Sequence, residues 1–216
     1  MPPRLMNNEN DFNNVPLDVF KPWPKTPRVS AHCIITEKID GTNGQISICE
    51  DGRLFVGSRN RWLSGETKQS DNFGFYAWVM ANETEIRKLG VGRHFGEWYG
   101  AGIGMRYGWD TERFFSLFNT RRPAETLPSC IGQVPILYEG PFSKEAEDQA
   151  KQSLMVEGSR CGSLKWTGKS EGYVVFFPKT GERFKHVFET EAKKQREEFD
   201  GPLSDTRVEL RPSGTP

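Results

Sequence analysis

Apolar residues fall into short runs whose spacing changes character several times along the chain. Residues 1–14 are polar, with Asn7, Asn8, Asn10, Asn13 and Asn14 among them, and read as a mobile lead-in with little to bury. Pro16, Pro22, Pro24 and Pro27 then surround Phe20 and Trp23; prolines at that density exclude a helix and predict an extended segment pinned by its two aromatics. From Val29 the pattern turns to strand. Cys33-Ile34-Ile35 runs apolar towards Lys38, the chain turns through Asp40-Gly41 and Asn43-Gly44, and Ile46-Ser47-Ile48 resumes the alternation. Asp51-Gly52 turns once more into Arg53-Leu54-Phe55-Val56. Three short antiparallel strands follow, with one amine, Lys38, at the rim of the first loop.

At Asn72 the period lengthens. Phe75, Trp78, Val79, Ile86 and Leu89 recur at helical intervals, interrupted near Asn82, and Gly90 and Gly92 close the run, which predicts two helices or one broken one. Strands return over residues 94–100 and 113–119; in the second, Phe115 and Leu117 share one face and Phe114, Ser116 and Phe118 the other. Residues 121–133 read as a loop and 134–138 as a strand, and Ser143 caps a polar helix through Glu145, Ala146, Ala150 and Leu154. The apolar strand 172–177 turns through Pro178-Lys179-Thr180-Gly181, and residues 182–188 return with Arg183 and Lys185 on one face. Residues 189–199 read as a charged helix and 201–216 as a flexible tail, leaving one domain over residues 15–200.

Composition narrows the class. A chain of 216 residues, 35% hydrophobic, can bury a core as a single domain. Acidic and basic residues balance at 29 each, so a surface for polynucleotide has to be local, built from a few arginines and lysines. Cys33, Cys49, Cys130 and Cys161 form no Cys-x-x-Cys pair and the three histidines are scattered, which argues against zinc, and Cys33 and Cys49, among alternating apolar residues, read as reduced, packed thiols. No signal-peptide pattern opens the chain and no apolar run reaches membrane-spanning length, so the expectation is a soluble, cytoplasmic protein.

Several side chains carry candidate chemistry. Glu97 is a lone carboxylate in an aromatic, glycine-flanked strand, which marks either an exposed edge or, as we prefer, a ligand contact. Gly57-Ser58-Arg59-Asn60-Arg61-Trp62 sets two arginines and an aromatic in a polar loop, either solvated or a surface for anions and bases. Glu171 stands at the mouth of one apolar strand, and Arg183 and Lys185 on its neighbour, where all three could address one phosphate and its metal. Together, a lysine nucleophile at Lys38, carboxylates at Asp40, Glu97 and Glu171, cations at Arg59, Arg183 and Lys185, and aromatic platforms are the parts for attacking a nucleoside triphosphate. The ordinary lysine pKa of about 10.4 leaves roughly one amine in a thousand free near neutral pH. Arg183, Lys185 and a magnesium ion are expected to raise that fraction, with Glu171 as the carboxylate partner of the metal.

Taken in order, residues 37–44, Gly57-Ser58-Arg59, Phe95-Gly96-Glu97, Phe115-Ser116-Leu117-Phe118, Glu171-Gly172 and Phe184-Lys185 resemble motifs I, Ia, III, IIIa, IV and V of the covalent nucleotidyltransferases. Within that superfamily the chain is most similar, from Lys21 to Phe188, to the ATP-dependent RNA ligases of the phage ligase-2 type. The resemblance implies an α+β fold: antiparallel sheets with flanking helices, a nucleotidyltransferase (ATP-grasp-like) ligase core with the nucleotide in the groove between the sheets. It also implies that Lys38 carries AMP through a phosphoramidate bond, Glu37 contacts the adenine edge, and Arg59 binds phosphate or the substrate strand. Glu97 would contact the ribose hydroxyls, Phe115 would stack on adenine, Glu171 would serve Mg²⁺ or Mn²⁺, and Lys185 would contact the α-phosphate. Asn43 is implicated in the sealing step. Arg183 stands where these ligases usually have a lysine, and Asp40 where the ligase-2 type has a histidine, as in DNA ligases and capping enzymes.

The implied reaction has three displacements: Lys38 attacks ATP and releases pyrophosphate, AMP passes to a 5′-phosphate end, and a 3′-hydroxyl expels AMP to seal the strand. The implied partners are nucleic acid ends, RNA foremost and nicked duplex second. After Phe188 only the charged segment and tail follow, so the C-terminal domain that many members use to engage nucleic acid is not expected in these residues. The alternatives are a DNA nick-sealing ligase, a capping guanylyltransferase, and a nucleotide- or RNA-binding module that keeps the fold without the chemistry. The sequence sets no oligomeric state.

Overall fold

The computed structural model describes residues 31–166 and 168–188. The polar lead-in, the proline-rich segment, the charged helix and the tail predicted from sequence all lie outside them. The architecture is α+β, with nine strands in two sheets among the described residues. One sheet has four strands in the order β7 (Ile136–Pro141), β1 (His32–Lys38), β8 (Gly172–Phe176), β9 (Arg183–Val187), all antiparallel. The other has five, in the order β3 (Leu54–Gly57), β2 (Thr42–Ile48), β4 (Gly92–Gly100), β5 (Arg113–Leu117), β6 (Ile131–Gln133), with only β5 and β6 parallel. No helix of the described residues is long and apolar enough to cross a membrane.

This topology corrects the first expectation. β1 and β2 do not pair as a hairpin: β1 pairs with β7 and β8, more than a hundred residues away, and β2 with β3 and β4. The three residues between them, Ile39 to Gly41, carry the chain from one sheet to the other, so Lys38 ends its strand in one sheet and Thr42, just before Asn43, opens β2 in the next. β6 also falls inside the stretch read as a loop, because its three residues pair parallel to β5 and carry too little alternation to announce a strand.

Each sheet buries its outer face under helices. Alternation puts Ile46, Trp98, Phe115 and Leu117 on one side of the five-stranded sheet, where they pack with Phe75, Val79, Ile86 and Leu89. Those residues come from α1 (Phe75–Ala81), α2 (Glu83–Ile86) and the tight turn after them, with the break at Asn82 where the spacing placed it. The four-stranded sheet packs Cys33, Ile35, Tyr173 and Val175 against Ala150 and Leu154 of α3 (Lys144–Val156). The Ser143 hydroxyl caps α3 by accepting from the Ala146 amide at 3.1 Å. A third cluster, Ile39, Tyr99, Tyr107, Val134 and Cys161, fills the space at one end between the sheets. The groove opens at the other end.

Candidate active site

Lys38 is the last residue of β1, a quarter exposed, and its Nζ lies 2.5 Å from Glu171 Oε2. That oxygen is buried and makes no hydrogen bond of ordinary geometry; the ion pair is its contact. Register sets the neighbours. Lys38 pairs with Gly172, two residues from Val174, which pairs in turn with Lys185, so Lys38, Lys185 and Arg183 share the face of the sheet that looks into the groove. Lys185 is exposed there, and the Arg183 guanidinium lies over the Phe176 ring, 4.4 Å from its centroid.

From the opposing sheet comes Glu97, on the central strand and nearly buried, so the edge alternative is excluded. Asn43, its cross-strand partner, donates from Nδ2 to Glu97 Oε2 at 2.9 Å. Burial pushes the Glu97 carboxyl up to about 7; the nearby Lys38 charge opposes this, and the charges of Glu171 and Asp40 add to it. Along β4 the same face runs from Tyr99, packed in the third cluster, through Glu97 to Phe95, which is half exposed. There the groove widens into a cleft of about 750 Å³, lined by Asn43, Gln45, Phe95 and Phe118 from one sheet and Phe176 and Arg183 from the other. Arg59, Arg93 and Arg121 also reach its wall. Lys38, Glu97 and Glu171 are not in that wall; Asn43 lines the cleft and joins them to it through its bond to Glu97.

The crossing loop that presents Lys38 is held from several sides. The Asp40 amide donates to the Tyr107 hydroxyl at 2.6 Å, and Asp40 Oδ2 accepts from the Met105 amide at 2.8 Å. Tyr107 is fully buried and, with Arg106, adopts positive φ (50° and 59°), a conformation non-glycine residues rarely take. Gly41 passes so close to the β4 backbone that a Cβ would lie 2.5 Å from the Trp98 carbonyl oxygen. Asp40 therefore ties the loop beside Lys38 to residues 103–107.

Two further expectations are corrected. Glu37 does not offer its carboxylate to a purine: it is 1% exposed, Oε1 accepts from the Ser170 hydroxyl and Oε2 from the Arg160 amide, both at 2.9 Å, and the Cys161 thiol lies 4.0 Å from Oε2. Adjacent strand residues face opposite sides, so Lys38 in the groove sends Glu37 away from it. Phe115 is fully buried in the core, its ring centroid 4.9 Å from that of Phe75, and has no surface for a base. The β5 alternation leaves Phe118 as the exposed ring on the groove side, 42% accessible. Arg93 and Arg121 drew no attention in the sequence, although Arg93 shares the period-two face of Phe95 and Glu97.

The RNA ligase family model matches residues 31–187, and the chain belongs to that family. No curated protein matches the sequence. Among solved structures, the chain is similar in fold to a mutant Naegleria gruberi RNA ligase in its apo form (TM-score 0.54, 19% identity, 79% of this chain and 52% of that one). It is also similar to mutants of that ligase with ATP and Mn (TM-score 0.54, 19% identity, 77% and 52%) and with AMP and Mn (TM-score 0.55, 20% identity, 78% and 52%). The chain spans about half the length of these ligases.

Proposed function

We propose that the chain carries the nucleotidyl-transfer chemistry of an ATP-dependent RNA ligase, joining 5′-phosphate and 3′-hydroxyl RNA ends. The observation that carries this reading is the Lys38–Glu171 pair at 2.5 Å, beside Glu97 and Asn43, in a groove between two sheets with arginines along its wall. Lys38 Nζ forms the new bond to the α-phosphorus of ATP while the bond to pyrophosphate breaks, and the lysine loses its proton; AMP then passes to the 5′-phosphate and leaves when the 3′-hydroxyl attacks. Arg183 and Lys185, on the face of Lys38, address the phosphates, and Arg59 the phosphate or strand. Glu97 fits a sugar hydroxyl, since it stands in the groove with a single hydrogen-bond donor, Asn43, among the described residues. Phe118, in place of Phe115, is the ring open to a base.

The donor set also fits a divalent cation. Glu171 Oε2 is buried without a hydrogen bond, and Mg²⁺ or Mn²⁺ commonly uses one or two carboxylates together with substrate phosphates. Among the described residues no group of three or more His, Cys, Asp or Glu side chains is placed to hold a metal. Phosphate oxygens would complete the shell, and the ion's chemistry there is to offset negative charge on the phosphates.

The test is incubation with Mg²⁺ and ATP labelled at the α-phosphate, followed by a denaturing gel. Acid-labile label on the wild type and none on Lys38→Ala is the expected result. Label from GTP alone would make the chain a guanylyltransferase, and no label from either nucleotide would leave a binding module.

A further inference from the structure

The groove-facing side of the five-stranded sheet continues beyond the cleft, and there it carries exposed rings. Phe55 on β3 pairs with Ser47 on β2, which pairs with Arg93 on β4; one step along, Gly57 pairs with Gln45 and Gln45 with Phe95. Cross-strand partners share a face, so Phe55 lies on the side of Arg93, Phe95 and Glu97. Trp62 joins them. It bridges back to Gly57, whose missing Cβ would sit 3.1 Å from the indole, and its ring lies 5.5 Å from that of Phe55. Trp62 is 52% exposed and Phe55 37%. Two strand spacings, about 10 Å, separate this pair from Phe95 and the cleft mouth.

Large exposed rings on one face of a sheet require an explanation, and the charges around these supply one. Arg59 and Arg61, both exposed, come from the turn that delivers Trp62, and Arg59 and Arg93 line the cleft as well. Arg61 is fixed by donating to the Gln69 carbonyl, and Arg53, held by Asp51 at 2.7 Å, lies 5.6 Å from the Phe55 ring centroid. Rings interleaved with arginines along a sheet fit one ligand class: an unpaired polynucleotide strand, whose bases stack on the rings while its phosphates meet the guanidinium groups. A duplex keeps its bases stacked on one another and offers no free face to Trp62.

We infer that Phe55 and Trp62, with Arg59 and Arg61, form a subsite for single-stranded RNA that receives the strand running out of the cleft across β4, β2 and β3. This rests on the RNA ligase reading for the identity of the strand. The end being joined then occupies the cleft, and the nucleotides next to it cross the sheet.

The test uses the full chain and two probes labelled at an internal base: a 12-nucleotide single-stranded RNA with a 5′-phosphate, and a blunt RNA duplex of the same length. Fluorescence anisotropy is expected to show Trp62→Ala and Phe55→Ala each weakening single-strand binding about tenfold, with Trp62→Phe close to wild type and duplex binding unchanged. Transfer of label from ATP to Lys38 is expected to be the same in all three variants. Single-strand binding unaffected by both alanine variants, equal losses for strand and duplex, or no RNA binding by the wild type would each overturn the subsite. Because adenylylation is read separately, a wild type that binds RNA through Trp62 but takes no label would fail the ligase reading and keep the subsite.

Discussion

Two carboxylates flank Lys38, and they differ in how their oxygens are served. Turned away from the groove, Glu37 is buried and both its oxygens accept hydrogen bonds from fixed donors, the Ser170 hydroxyl and the Arg160 amide. On the groove side, Glu171 has a buried oxygen whose contact is the lysine itself. A buried acceptor saturated by the protein is framework, because removing it leaves its donors unpaired; one with spare lone pairs is available to a ligand. The residues are neighbours across the sheet, since Glu37 pairs with Tyr173 and Lys38 with Gly172; Glu171 stands just before β8, at Gly172 with its φ of 155°, and there it turns to the lysine and not to the Glu37 side.

Substitutions test that division. Glu171→Gln is expected to slow adenylylation by about two to three orders of magnitude, while the urea midpoint stays close to wild type. A large loss of stability in this variant would put Glu171 with the framework. Glu37→Ala should behave the opposite way, losing about 3 kcal/mol in urea unfolding as the buried Ser170 hydroxyl and the partly buried Arg160 amide lose their acceptor; a fully stable Glu37→Ala protein would remove the distinction.

Glu97 falls between the two, nearly buried yet bonded by Asn43 alone among the described residues. Its carboxyl is lifted from an ordinary value of 4.5 to about 7, so between those values the folded chain holds more proton than the unfolded one. Stability from this group therefore falls as pH rises from 4.5 to about 7 and stays at the lower level above that. The loss is about 3 kcal/mol at most. Glu97→Gln should flatten this segment of the stability profile, measured by urea unfolding from pH 5 to 8, and an unchanged slope would place the titration elsewhere. The smallest effect is expected from Tyr107→Phe, which deprives the Asp40 amide of its acceptor: about 1 kcal/mol of stability, with a larger proportional loss in adenylylation rate than in ATP affinity. Equal losses in rate and affinity would mean that the loop does not position Lys38.

Much of the site was legible along the chain. Lys38 at the end of an apolar run, the lone carboxylates at Glu97 and Glu171, and the shared face of Arg183 and Lys185 all follow from alternation and punctuation. The period of two even separated the β5 rings into Phe115 with Leu117 and Phe114 with Phe118. It could not say which set meets solvent, because that depends on where α1 packs, and α1 chose the Phe115 side. The same period puts Glu37 and Lys38 on opposite faces, which the roles taken from the motif resemblance did not use. The assignment of β1 and β2 to different sheets was out of reach, since it rests on pairings with β7 and β8 that no local pattern encodes.

The three-residue passage from β1 to β2 has a mechanical corollary. A tether that short keeps the sheets in step at the Lys38 end, and the third cluster wedges them there. At the far end a single hydrogen bond among the described residues spans the gap, from the Arg121 guanidinium beyond β5 to the Pro178 carbonyl in the turn between β8 and β9, at 3.1 Å. Spine and clasp are therefore unequal. The two sheets resemble the covers of a book bound at Lys38, and the easiest distortion of the molecule swings the β9 end of one cover, with Arg183 and Lys185, towards or away from Phe95 and Phe118 on the other, while Lys38 keeps its place beside them in the same sheet.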